Sequence, residues 1–227
     1  MARRPEQGPP APEKSDRERI IEAFMALLAE QGFEDIGFAD IAARSGVSLA
    51  RCRAQFNSLL AVLAAQIEEI DRKVLAGGDE TVEESPRERL FDVLMRRLEA
   101  LAPHKAAVRS LARSASCNPG LAFALNGLAV RSQQWMLTAA GISGSGTRGL
   151  IRAQGMACIY ADVLRTWIDD DDPGLARTMA ALDRNLARGE SWSRCLDGLC
   201  RLVPSPRRGD RRHRDHPNDP GEQPAVV

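Results

Sequence analysis

Aromatic side chains make up only 4% of this 227-residue chain, which holds a single tyrosine. Strands draw on aromatic and β-branched residues, so their scarcity beside abundant Ala, Leu and Arg points to helices. A net charge of one sign is also missing: 31 Lys and Arg face 31 Asp and Glu. No global field draws the chain to nucleic acid or anionic lipid, so any such binding must come from a local patch. Histidine is nearly absent, with His104 alone outside the carboxy-terminal segment. That removes the nitrogen ligands of most zinc sites. It also leaves one candidate base, and no G-x-S-x-G elbow accompanies it. No catalytic residue, cofactor or metal ligand is expected, and His104 reads as a partly exposed surface residue. The cysteines are odd in number and dispersed (Cys52, Cys117, Cys158, Cys195, Cys200). They read as reduced thiols packed in helices rather than as a disulfide framework or zinc knuckle.

Long hydrophobic runs are lacking too. The longest, "LAFALNGLAV" (121–130), is about half of what a bilayer span needs and contains Asn126 and Gly127. The amino-terminal "MARRPEQGPPAPEK" has no apolar stretch of the signal-peptide kind. The expectation is a soluble cytoplasmic protein with no membrane insertion.

What is present has helical period nearly throughout. Ser15 and Glu18 make a capping box before "DRERIIEAFMALLAEQGF", whose Ile20, Phe24, Leu27 and Leu28 share one face. "FADIAARSG" and "SLARCRAQF" read as short helices. Ser58 caps a longer one that ends at Gly77–Gly78, and Ser85–Pro86 with Glu88 opens another. Asn118–Pro119 and Asp172–Pro173 start two more by the same logic. The pattern predicts an all-α chain of nine or ten helices. A disordered tail covers 1–14, a three-helix helix-turn-helix unit 15–60, and a larger helical regulatory and dimerisation domain 61–203. Residues 204–227 form a solvated Arg/Pro-rich tail.

Two motifs invite chemistry and are set aside. "GSGTRG" (144–149) fits G-x-G-x-x-G, but a helix precedes it and no strand is expected, so it reads as an interhelical loop. "DDDD" (169–172) lacks the alternating spacing of a calcium loop. It reads as a solvated cap, with Asp172 as N-cap before Pro173.

The stretch "SGVSLARCRAQF" (45–56) is more specific. Gly46 supplies the residue that tolerates positive φ in the turn, and Ala42 and Ala43 permit close helix crossing. Ile41, Val47, Cys52 and Phe56 recur as core plugs. Ser48, Leu49, Ala50, Arg51, Arg53 and Gln55 are left to face outward or sideways, a short helix offering Arg, Gln and a capping Ser together.

The segment from Arg19 to Leu63 resembles the DNA-binding domain of the TetR family of bacterial transcriptional regulators. The resemblance lies in "LLAEQGFEDIGFADIAARSGVS", the short helix ending at Phe56, and the Ser opening the fourth helix. It implies a homodimer on double-stranded operator DNA, with two recognition helices about one DNA turn apart. It also implies a carboxy-terminal domain that dimerises and binds a small ligand, commonly to relieve repression. On that reading Arg51 and Gln55 contact bases, and Arg53, Arg44 and Ser48 contact phosphates, with Leu49 on the same edge. Three positions depart from the family pattern. Arg53 stands where an aromatic is usual, Leu59 where a Lys follows the helix-four serine, and Leu49 where a polar residue is common. Leu49 and Leu59 are expected together on the DNA-facing side.

Large apolar groups on consecutive helices, Phe91, Met95, Phe123, Trp135 and Met136, are candidates to line a pocket for a small apolar ligand. The helices near 148–168 and 173–188 are expected to form the dimer seam, where Ala153, Gly155, Ala157 and Ala161 permit close approach. A second reading rests on a looser likeness of "RERLFDVLMRRLEAL" and "DDDDPGLARTMAALDRNLARGE" to lipid-binding accessory proteins of ubiquinone biosynthesis. Those share the regulator fold, and the helix-turn-helix would then be vestigial.

Overall fold

The computed structural model describes residues 14–77, 84–142 and 146–202, the stretch 190–202 as helix backbone. The expected terminal tails fall outside the described residues apart from Lys14, as do the side chains of Cys195 and Cys200. Nine α-helices and no strand occur among the described residues. They are α1 (Asp16–Glu30), α2 (Phe38–Ser45), α3 (Leu49–Gln55), α4 (Leu59–Ala76), α5 (Pro86–Leu101), α6 (Lys105–Cys117), α7 (Pro119–Ala139), α8 (Gly146–Ile168) and α9 (Ala176–Leu202). The protein is all-α.

The helix starts follow from side-chain caps that satisfy orphan amides. Ser15 Oγ accepts from Glu18 N (3.3 Å), while the Glu18 carboxylate accepts from Ser15 N (2.7 Å). Ser85 and Glu88 repeat the arrangement at 3.3 and 2.8 Å. These amides hold both carboxyls below the usual glutamate range. Ser58 accepts from Ala61 N (3.1 Å) and Asn118 from Leu121 N (3.0 Å).

The helices bury two apolar clusters. The amino-terminal one joins Ile20, Phe24 and Leu28 of α1 to Ile41, Val47, Cys52 and Phe56. The carboxy-terminal one gathers Leu94, Leu98, Met136, Val163, Trp167 and Leu182. Three helices, α4, α6 and α7, contribute to both. Val62 and Leu63 of α4 lie in the first cluster, and Ile70 and Val74 lie in the second. From α6, Ala107 packs into the first cluster. Ser110 Oγ donates to Gln31 O (2.7 Å), and Ser114 Oγ accepts from Phe33 N (3.0 Å).

The second cluster contains a buried ion pair, Arg97–Asp71, with Ser132 Oγ also donating to Asp71 (2.9 Å). The Arg97 guanidinium lies 5.4 Å from the Tyr160 ring centroid. Burial pushes the Tyr160 hydroxyl up to about 12. Breaking such a pair from one side costs roughly 3–5 kcal/mol, because the surviving charge stays buried.

Three local expectations are corrected. "GSGTRG" is not all loop: residues 146–149 form the first turn of α8, and Gly149 is buried there. Gly144 and Ser145 lie outside the described residues. The four aspartates are not one solvated cap. Leu175 takes a positive φ of 51°, which delays α9 until Ala176. The buried Asp170, rather than Asp172, accepts from Thr178 N (2.9 Å) and Thr178 Oγ1 (2.6 Å). Asp172 closes the turn instead, accepting from Gly174 N (3.2 Å) and Ala176 N (3.3 Å). Finally, only Cys52 of the three described thiols is buried; Cys117 and Cys158 are exposed on helix surfaces. His104 is half-buried, and desolvation together with Lys73 lowers its pKa against an opposing pull from Glu22.

Candidate nucleic-acid interface

The amino-terminal unit presents α3 through a tightly specified turn. Gly46 ends α2 with φ 66° and donates its N–H to Ala42 O (3.0 Å). Ser45 Oγ then accepts from Val47 N (3.2 Å), and Ser48 Oγ caps α3 by accepting from Arg51 N (3.4 Å). Val47, Cys52 and Phe56 are sealed in the core, which fixes the rotation of α3. Burial raises the Cys52 thiol pKa, so it serves as packing rather than as a reactive group.

That rotation leaves Ser48, Leu49, Ala50, Arg51, Arg53, Ala54 and Gln55 exposed on one short helix and its cap. Leu49 is 55% exposed, a large apolar group facing water beside two arginines. Leu59 departs from expectation. As the first residue after the Ser58 cap, it is half-buried against the amino-terminal cluster, whereas Leu49 stands in the open.

The arginines are not equivalent. Arg51 forms an ion pair with Asp16 at the start of α1. Arg44 makes a two-pronged pair with Glu30, Nη1 to Oε2 at 2.9 Å and Nη2 to Oε1 at 2.5 Å. That guanidinium holds the Glu30 carboxyl below its usual range, and Glu30 raises the Arg44 pKa in turn. Arg53 has no hydrogen bond or ion pair among the described residues. Two further cations come from α1: Arg19 Nη2 donates to Ser45 O (2.6 Å), and the Arg17 guanidinium stacks 4.7 Å from the Phe56 ring centroid. Nothing local in the sequence marks Asp16, Arg17, Arg19 and Glu30 as interface residues, because the groups they meet at the turn and α3 lie many residues away. The Ser15–Glu18 box, which fixes where α1 begins, was the one usable signal.

The five apolar pocket candidates do not converge. Met136 is sealed in the carboxy-terminal core, and Phe123 stands 82% exposed on α7. Met95 is half-buried against the core. Phe91 borders a groove between α5 and α9, beside Met179 and the Arg87–Asp183 pair (2.7 Å). Trp135 alone lines the cleft of about 380 Å³ between α4 and α7. Its walls are Ala64, Ile67, Leu75 and Leu128, and Arg72, Arg131 and Glu68 carry its charge. Asp71 and Ser132 connect it to the buried Arg97 pair.

On the expected seam, Ala153 and Ala157 are buried within their own chain, while Gly155 and Ala161 remain exposed on α8. Leu150 and Ile151, half-exposed, add apolar surface to the same helix. No helix among the described residues is long and apolar enough to cross a membrane.

No family profile matches this sequence, and no curated protein sequence does either. Solved structures do. A TetR transcriptional regulator from Nitrosomonas europaea superposes with a TM-score of 0.61 at 23% identity, covering 79% of this chain and 99% of that one. A TetR transcriptional regulator from a Rhodococcus species gives 0.55 at 22% identity, over 77% and 95% of the two chains. A TetR-family regulator from Streptomyces coelicolor gives 0.53 at 14% identity, over 82% and 87%. The chain has the fold of these TetR-type regulators.

Proposed function

We propose that this chain is a homodimeric, ligand-responsive transcriptional repressor that binds operator DNA through α3. The observation that carries the reading is the exposed face of α3, held in one rotation by Val47, Cys52 and Phe56, on a TetR-type fold. A short helix fixed this way suits the major groove, with side chains reaching base edges. Arg51 and Gln55 take the base-reading positions. Arg53, Arg44 and Ser48 take the phosphate positions, and Leu49 offers an apolar contact such as a thymine methyl accepts.

The cleft between α4 and α7 is the site we assign to a small, largely apolar ligand, with Trp135 as its aromatic wall. Because α4 runs from this cleft into the amino-terminal core, a ligand there biases the orientation of the α1–α3 unit. The hydrogen bonds from Ser110 and Ser114 of α6 to the segment after α1 give a second rigid link. The mechanism is a population shift: ligand favours a spacing of the two α3 helices that fits DNA less well. The dimer seam is assigned to α8 and α9, with Leu150, Ile151, Gly155 and Ala161 as outward residues.

The pairing of Arg44 and Arg51 within the chain, with Leu49 in the open, favours a second reading: a lipid- or isoprenoid-binding accessory protein whose α3 no longer reads DNA. The two separate on one measurement. Purified protein is titrated onto duplex DNA from upstream of its own coding region, alongside an R51A/R53A variant. The repressor reading expects specific binding that the variant weakens by roughly tenfold or more. An affinity unchanged within about twofold overturns the contact assignment, and co-purified lipid with no specific DNA binding supports the accessory reading.

A further inference from the structure

We propose that Asp16 and Glu30 form an electrostatic latch that holds the cations of the interface away from DNA of arbitrary sequence. This inference rests on the DNA-binding reading for its biological use, though its physical test does not. Segment 38–57 carries Arg44, Arg51 and Arg53 against Asp40 alone, a modest positive excess. Two of those three arginines are taken by carboxylates from α1: Arg51 by Asp16, and Arg44 by Glu30. Those two carboxylates match the excess of segment 38–57, and the positive charge that remains beside it comes from Arg17 and Arg19 of α1. Of the three cations, Arg53 alone is without an ion pair among the described residues.

The two latches are built differently. Asp16 is fixed at the first position of α1 by the Ser15–Glu18 capping box, and its side chain is only 14% exposed. It also lies 3.8 Å from Arg19, whose other nitrogen holds the carbonyl of Ser45 at the helix-turn-helix bend. Arg51, by contrast, is two-thirds exposed, so it is the mobile partner and Asp16 the anchor. Glu30 meets Arg44 at the far end of α1, with both side chains about half exposed. Pairs this exposed contribute little to stability. They do change what the surface offers a polyanion.

Non-specific affinity comes from cations that replace condensed counterions, and each phosphate neutralised adds about 0.9 to the salt slope. An arginine already neutralised within the chain contributes less of that release. DNA that presents a base acceptor in the right place for Arg51 can take the guanidinium from Asp16, whereas Arg44, set against a phosphate, meets an acceptor in any sequence, so Glu30 lowers all binding alike. DNA in any other register leaves Asp16 facing phosphate. The Asp16 arm of the latch therefore lowers random binding more than matched binding, which widens specificity without adding a base contact.

The test uses the full chain and a random-sequence 30-base-pair duplex across a salt series, read by fluorescence anisotropy. Variants are D16N, E30Q, the double variant, and E69Q, which removes the same charge from the exposed Arg72–Glu69 pair on α4. The latch predicts that the double variant binds random duplex at least about fivefold tighter near 0.1 M salt, with a salt slope larger by about 1–2. E69Q stays within about twofold of the parent. Should D16N disturb folding by circular dichroism, E30Q alone carries the test, with an expected slope increase of about 1. Affinities within twofold of the parent at every salt, or an E69Q effect equal to that of the latch variants, would overturn the proposal. The two readings fail separately. If parent and variants alike prefer no sequence over random DNA, the repressor reading falls while a gain in random binding still upholds the latch. If specific binding is present and random binding does not move, the latch falls alone.

Discussion

Gly46 is a single residue on which the geometry of α3 depends. Its φ of 66° lies where a Cβ is strained, and a Cβ placed there would sit 2.9 Å from Arg19 Nη2. That nitrogen donates to Ser45 O, so its retreat would give up a hydrogen bond to the turn. Gly46→Ala is expected to destabilise the protein by about 1–2 kcal/mol from the left-handed backbone alone, measured as a shift in the denaturant midpoint. An unchanged midpoint would mean that the turn relaxes freely. At the same scale the sequence was informative about Gly46, Ser48, Val47, Cys52 and Phe56, because each answers a local demand of turn, cap or core. It did not show that Leu59 is partly covered, since how far a residue after a cap is buried is decided by the helices packed beside it. The Asp16–Arg51 and Glu30–Arg44 pairs were invisible for a similar reason: only the folded crossing of α1 over α2 and α3 brings those charges together.

Between elements, the junction of α8 and α9 carries a pH dependence. Asp170 is buried and accepts two hydrogen bonds from Thr178, the larger cause of a carboxyl pKa below the ordinary aspartate value. Arg109 donates to Ile168 O and Lys105 donates to Asp170 O (2.6 Å), so the same corner also ties α6 to the end of α8. A carboxyl with a depressed folded pKa stabilises the fold above its unfolded value of about 3.9. That stabilisation disappears as pH falls through the folded pKa. Asp170→Asn should lower the melting temperature at neutral pH and flatten its decline below about pH 4. An acid limb as steep as the parent's would show that Asp170 is not a group whose titration loosens this corner. Helix starts at Ser15, Ser58, Ser85 and Asn118 were legible because each cap is a short-range signal. The start of α9 was not. The turn at Leu175 moves it past Pro173, and the sequence gives no warning that a leucine will adopt positive φ there.

For the whole molecule, the two apolar clusters are joined by α4, α6 and α7, and the cleft beside Trp135 lies between two of these helices, α4 and α7. The all-α class followed from composition and period. The cleft beside Trp135 did not follow, because Phe91, Met95, Phe123 and Met136 look alike in sequence but differ in which neighbour covers them. The proposal that α3 reads DNA as part of a homodimer is tested by selection. Duplexes bound by the purified full chain are recovered from a random-sequence pool, and the affinity of the enriched sequence is compared with that of the starting pool at one salt concentration. Convergence is expected on a two-fold symmetric site with half-sites about one helical turn apart, bound roughly a thousandfold more tightly than the pool. A recovered pool indistinguishable from the input, with an affinity ratio near one, would contradict it.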